Sequence, residues 1–189
     1  MIASRIVLNN HCENEKEIYE YGLQIIINTI FSLGLVLICA VIFKEFINTI
    51  VFLICYCTIR IFAGGFHASS NNRCMIIFIS GYLVSFVLLK YKVIEFSIIS
   101  IIILIFIDLC IILWSPVGVP NNPIAPELSI KMKKRASIIS LIITFVVLIL
   151  LYFGYEIGEW GYAGVCWFGI IIIAGKFNNL YKGDYNEKN

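Results

Sequence analysis

From Leu23 to Phe43 the chain runs without one charged side chain, and from Ala136 to Phe153 it does so again. About twenty apolar residues coiled as a helix match the hydrocarbon thickness of a bilayer. Inside lipid no water serves the backbone, so every N–H and C=O must find its partner within the segment, and the α-helix is the solution open to a single run. Four more apolar stretches obey the same rule: Phe46 to Ile59, Met75 to Leu89, Val93 to Trp114 and Gly161 to Ala174. The chain is 60% hydrophobic, whereas soluble domains are about half apolar or less. The fold class expected is therefore all-α, a polytopic membrane bundle of about six transmembrane helices.

The polar residues punctuate these runs. Residues 1–22 are acidic and amphipathic. Asn10 with Glu13 fits a capping-box start, and Ile18, Tyr21 and Ile25 recur at helical spacing. They read as an interfacial helix leading into a six-span domain over 23–175, with a polar tail at 176–189. No long apolar core precedes the acidic stretch, so a cleavable signal peptide is not expected. Between Ser115 and Ser129, Pro116, Pro120, Pro123 and Pro126 break regular structure. The basic cluster Lys131, Lys133, Lys134 and Arg135 follows. With the amino terminus in the cytoplasm, six spans leave only Lys44, Lys90 and Lys92 outside, and the other eleven of fourteen lysines and arginines fall inside. That bias obeys the positive-inside rule. A net charge of +2 is too small to suggest a nucleic-acid partner; the lipid bilayer is the partner expected.

The most polar interruption runs from Arg60 to Cys74 and holds His67, Gly64, Gly65, Ser69, Ser70 and Arg73. A thiol attacks as its thiolate, and an imidazole can take its proton. His67 and Cys74 thus suit acyl transfer, with Arg73 placed to favour the thiolate if it points that way. Seven residues of ideal helix rise about 10.5 Å, too far for the pair to meet, so the backbone between them must break. Gly64 and Gly65 permit sharp angles, and Ala68 to Asn72 supplies turn formers. A broken helix or re-entrant active-site segment is expected here, whose free N–H groups could serve an oxyanion. On the cytoplasmic side this segment stays reduced.

Other readings stand beside this one. Seven cysteines, an odd number mostly inside apolar runs, argue against a disulfide framework, and most act as small hydrophobes. A zinc site lacks ligands, since only His11 and Cys12 could complete His67 and Cys74; no metal or other cofactor is expected. Ser70 is a turn former or a weaker nucleophile. Gln24 is either a polar fringe with Asn28 or a donor to the site. Asp108, an ionisable group within a span, either orients an imidazole or pairs elsewhere.

Arg60-x-x-Ala63-Gly64-Gly65-Phe66-His67-Ala68-x-Ser70 followed by Cys74 resembles the signature of the accessory gene regulator protein B (AgrB) family. Tyr21-Gly22-Leu23-Gln24, Asn122-Pro123-Ile124 and the basic cluster extend the similarity over nearly the whole chain. The resemblance implies a bacterial membrane cysteine endopeptidase that cuts the carboxy-terminal part from an AgrD-like propeptide. Cys74 would form the thioester and His67 act as general base. A thiol within the peptide would then close a cyclic thiolactone for quorum sensing. Lys131, Lys133, Lys134 and Arg135 would hold an acidic tail of the precursor, or touch anionic lipid. Arg60, Ser70, Gln24 and Asp108 are candidates for orienting or oxyanion support, and a homodimer is compatible with a bundle this small. A transporter or peptide exporter without a catalytic thiol is the competing class, although the chain carries no nucleotide-binding loop and no clear inverted repeat.

Overall fold

The structure, a computed structural model, describes residues 13–64, 71–92, 97–117 and 126–187. Among them are six helices: α1 (Glu13–Phe43), α2 (Phe46–Ala63), α3 (Asn71–Lys90), α4 (Ile98–Trp114), α5 (Pro126–Tyr152) and α6 (Glu156–Glu187). Four contain runs long and apolar enough to cross a membrane: Ile26–Phe43, Phe46–Ala63, Glu127–Tyr152 and Glu156–Asn178. Cys74–Lys90 and Ile98–Trp114 are shorter apolar helices. The all-helical membrane bundle expected from the apolar runs is the fold found.

The helices exceed the apolar runs at several ends, each time for a local reason. The acidic segment from Glu13 continues without a break into the first span. Pro126 opens α5, because a proline at the first helical position gives up no bonded N–H. The basic cluster therefore lies on the first turns of α5 rather than in the loop before it. Glu156 and Glu159 form the first turn of α6, where carboxylates suit the helix dipole. Helix α6 also runs through the polar tail to Glu187. At α4 the start moves inward to Ile98, where the Ser97 hydroxyl accepts the Ser100 N–H at 3.3 Å.

Helix α6 is the centre of the bundle. It packs on α2, α3, α4 and α5, and its most extensive contact is with α2. Glycine makes that contact close. A Cβ on Gly164 would stand 2.8 Å from the Phe52 carbonyl oxygen of α2, and on the α5 side one on Gly161 would stand 2.8 Å from a Val147 methyl. Small residues at helix contacts are the usual solution in lipid, where apolar side chains gain nothing by leaving a solvent as apolar as themselves. Aromatic rings fill the space between α2, α3 and α6. Phe52, Tyr56, Phe78, Tyr82, Trp160 and Phe168 are all buried and follow one another at centroid distances of 5.1 to 6.3 Å. Large apolar side chains such as Ile30, Ile47, Ile61 and Phe145 cover the outside, as a lipid-facing surface requires.

The connections place the helix ends. The Val117 N–H donates to the Ala63 carbonyl at 2.9 Å, so the end of α4 meets the end of α2. Lys133 Nζ donates to the Leu113 carbonyl at 3.4 Å, which brings the start of α5 to the same place. One end of the bundle thus gathers the close of α2, the close of α4 and the basic turns of α5.

Candidate active site

Helix α2 stops where its sequence requires. Gly64 has φ +70°, a left-handed conformation that costs glycine nothing. Its N–H donates back to the Arg60 carbonyl at 3.0 Å. It lies against Val117, whose carbonyl oxygen would be 2.5 Å from a Cβ at this position. A side chain here meets both the wrong backbone angle and a wall. Helix α3 begins at Asn71; the break expected between His67 and Cys74 falls on residues 65–70, outside the described residues. Gly65, His67 and Ser70 themselves lie outside the described residues.

Cys74 sits in the first turn of α3 and is half-buried. A helix start carries unpaired N–H groups and a partial positive charge. Facing it is Arg60, in the last turn of α2. Arg60 Nη2 donates to Cys74 Sγ at 3.4 Å. Its other terminal nitrogen, Nη1, donates to the Tyr56 hydroxyl, and the guanidinium carbon lies 5.5 Å from the centre of the Tyr56 ring. The cation beside the sulfur thus comes from fourteen residues back along the chain. Arg73, the neighbour that sequence adjacency suggested, has its side chain outside the described residues. A guanidinium on a thiol sulfur can stabilise negative charge as it develops there.

The remaining candidates occupy different places. Asp108 is buried on α4, and its Oδ1 accepts hydrogen bonds from Ser140 and from Thr144 (3.2 Å for the latter), both on α5. Its recorded hydrogen bonds therefore join two helices and do not involve Cys74. Gln24 lies on α1 with its side chain outside the described residues. Lys131, Lys133, Lys134 and Arg135 are exposed on α5, at the same end of the bundle as Cys74. Cys39, Cys55, Cys57, Cys110 and Cys166 are free thiols inside the helices, and among the described residues no three His, Cys, Asp or Glu side chains converge as metal ligands would.

Two participants were not foreseen. Tyr56 carried a signal, since it stands four residues before Arg60 and so on the same face of one helix. Val117, which docks on Ala63 and Gly64, carried none, because that contact joins positions more than fifty residues apart.

A helical membrane bundle that sets a guanidinium against a thiol at one of its ends is the class that fold and site define. The accessory gene regulator B family model matches residues 1–173. Among relatives, the chain is 31% identical over 147 residues to putative AgrB-like protein 2 of Clostridium perfringens strain 13, spanning 73% of this chain and 68% of that protein. It is 30% identical over 168 residues to a putative AgrB-like protein of Clostridium perfringens strain SM101, spanning 84% and 78%. It is 33% identical over 133 residues to accessory gene regulator protein B of Staphylococcus lugdunensis, spanning 68% and 67%. No solved structure matches. The chain belongs to the accessory gene regulator B family, and that membership supports a role in quorum sensing.

Proposed function

We propose that this protein is a membrane cysteine endopeptidase that trims an AgrD-like signal propeptide and closes the remaining part into a ring. The observation that carries the reading is the Arg60 guanidinium on the Cys74 sulfur, at the opening turn of a helix. Among the cysteines of the described residues, Cys74 is the one whose surroundings suit a nucleophile.

The reaction proceeds in two acyl transfers. His67 takes the thiol proton, and Cys74 Sγ bonds to the carbonyl carbon of the scissile peptide. Charge moves from sulfur to the carbonyl oxygen, and Arg60 with the N–H groups at the start of α3 stabilises it there. The C–N bond breaks, His67 returns its proton to the leaving amine, and the carboxy-terminal fragment departs. The shortened peptide stays on Cys74 as a thioester. A thiol or hydroxyl within that peptide then attacks the same carbonyl carbon and loses its proton to His67. The bond to Cys74 breaks, the thiolate regains a proton, and the ring leaves. Exchange of one thioester for another conserves the acyl group's energy, so a site that excludes water favours the ring over hydrolysis. The basic turns of α5 hold the acidic tail of the precursor at the same end of the bundle. The active end and both termini face the cytoplasm of a bacterial cell membrane.

The test is cleavage of a candidate precursor in liposomes, followed by mass spectrometry, with wild type beside Cys74→Ala and Cys74→Ser. Shortened or cyclised peptide from the wild type alone, with an acyl adduct on the Cys74 peptide, is the expected result. Equal processing by Cys74→Ala would remove Cys74 as the nucleophile.

A further inference from the structure

Arginine at the end of a membrane helix has a default behaviour that does not serve a thiol. Its long stem lets the guanidinium swing toward water or phosphate at the interface. Here the guanidinium stays on the Cys74 sulfur, at 3.4 Å, and something must hold it. Among the described residues, Tyr56 does so. Its hydroxyl takes a hydrogen bond from Nη1, and its ring lies beneath the guanidinium at 5.5 Å.

Tyr56 can hold Arg60 because it is itself held. It is 1% exposed. Its ring lies 5.1 Å from that of Phe78 on α3, 6.2 Å from that of Phe168 on α6 and 6.3 Å from that of Phe52 on α2. Phe78 stands four residues after Cys74, and Tyr56 four residues before Arg60, so both pairs share a helix face. Helices α2 and α3 therefore meet at two adjacent rungs, Arg60 on Cys74 and Tyr56 on Phe78. The lower rung is apolar, buried and braced by the central helix. The upper rung is polar and half-buried. The hydrogen bond of the Tyr56 hydroxyl joins the packed rung to the reactive one.

We infer that Tyr56 is a positioning residue for the reaction: its hydroxyl fixes the Arg60 guanidinium on Cys74 Sγ and so sets how readily that sulfur reacts. The inference rests on the cysteine-peptidase reading for its consequence in turnover, but not for its effect on the thiol. Tyr56 touches no reacting atom and acts through Arg60. Removing the hydroxyl leaves the ring packing in place and frees the guanidinium to leave the sulfur.

The test measures the thiol directly, on the full chain in liposomes. Cys74 is alkylated with iodoacetamide at one fixed pH, and the rate is read by mass spectrometry of the Cys74 peptide, so the other cysteines do not interfere. Only part of the strength of this hydrogen bond to a charged group is transmitted to the sulfur. Tyr56→Phe is expected to slow alkylation about tenfold, which corresponds to about 1.4 kcal/mol, and to lower kcat of precursor cleavage while KM stays within about twofold. In an Arg60→Met background the same change is expected to have no further effect, since the group being positioned is gone. A role in packing alone predicts a loss that adds to that of Arg60→Met. An unchanged alkylation rate in Tyr56→Phe, or full additivity with Arg60→Met, overturns the inference. Should Tyr56→Phe fail to insert, Phe78→Leu loosens the brace without touching the hydroxyl; slower alkylation supports the inference and the wild-type rate overturns it. Cleavage that survives Cys74→Ala would instead defeat the peptidase reading, and the alkylation result would stand apart from it.

Discussion

Two side chains show how strongly a membrane interior orders polar groups. Among the described residues Arg60 has two partners, Tyr56 and Cys74, and Asp108 has two, Ser140 and Thr144. In lipid an unsatisfied group has no water to fall back on, so each draws donors or acceptors from a second helix. The Asp108 cluster yields a prediction of rank. Asp108→Asn keeps an acceptor oxygen for both hydroxyls, whereas Ser140→Ala strips a donor from a buried carboxylate. Interhelical hydrogen bonds in membranes contribute about 0.6 kcal/mol on average and about 1.7 at most. Ser140→Ala should therefore lower stability by about 0.6 to 1.7 kcal/mol and Asp108→Asn by clearly less, as read from unfolding midpoints in mixed micelles. Equal losses would mean that the carboxylate's charge, and not its hydroxyl partners, holds the two helices. Legibility differed sharply between these residues. His67 and Cys74 stand out as reactive types in an apolar chain, and Arg60 belongs to the same motif. The partners of Asp108 were not legible, because a serine and a threonine more than thirty residues away carry no mark of whom they face.

The elements were legible in kind and less so in extent. Apolar runs located the spans, yet α5 begins at Pro126 and α6 continues to Glu187, because backbone bonding does not stop where hydropathy does. Packing of α2 on α6 depends on glycine at the contact, and two glycines give predictions of opposite sign. Gly164→Ala forces a methyl to within 2.8 Å of the Phe52 carbonyl oxygen, an overpacking that costs about 1 to 3 kcal/mol. Gly34, inside α1, has nothing within 4 Å of a Cβ. Gly34→Ala should stabilise by about 0.5 to 1 kcal/mol, the ordinary gain of alanine over glycine within a helix. Thermal midpoints in detergent distinguish the two, and a Gly164→Ala protein as stable as wild type would mean that α2 and α6 do not approach this closely.

For the whole molecule, the consequence is a division between two ends. Gly64, Cys74, Val117 and Lys133 share one end by direct contact. Lys44, Lys92 and Gly154 close the turns at the other ends of the same helices. In cells, a cysteine at Lys92 of an otherwise cysteine-free chain should react with an impermeant maleimide from outside. One at Lys133 should react only after permeabilisation. The reverse pattern would turn the protein over and place the thiol outside the reducing compartment. What the sequence determined by itself is what needs no neighbour: which runs enter lipid, where they are punctuated, and which reactive groups are concentrated between Arg60 and Cys74. These follow from the cost of exposing backbone to hydrocarbon and from residue chemistry. Only the tertiary structure decided the neighbours. It set α6 at the centre, Arg60 on Cys74, Tyr56 under Arg60 and Val117 against Gly64. The physical reason is that in lipid the inward and outward faces of a helix are nearly equally apolar. Burial is then selected by shape and by polar partners drawn from distant parts of the chain, neither of which a hydropathy pattern records.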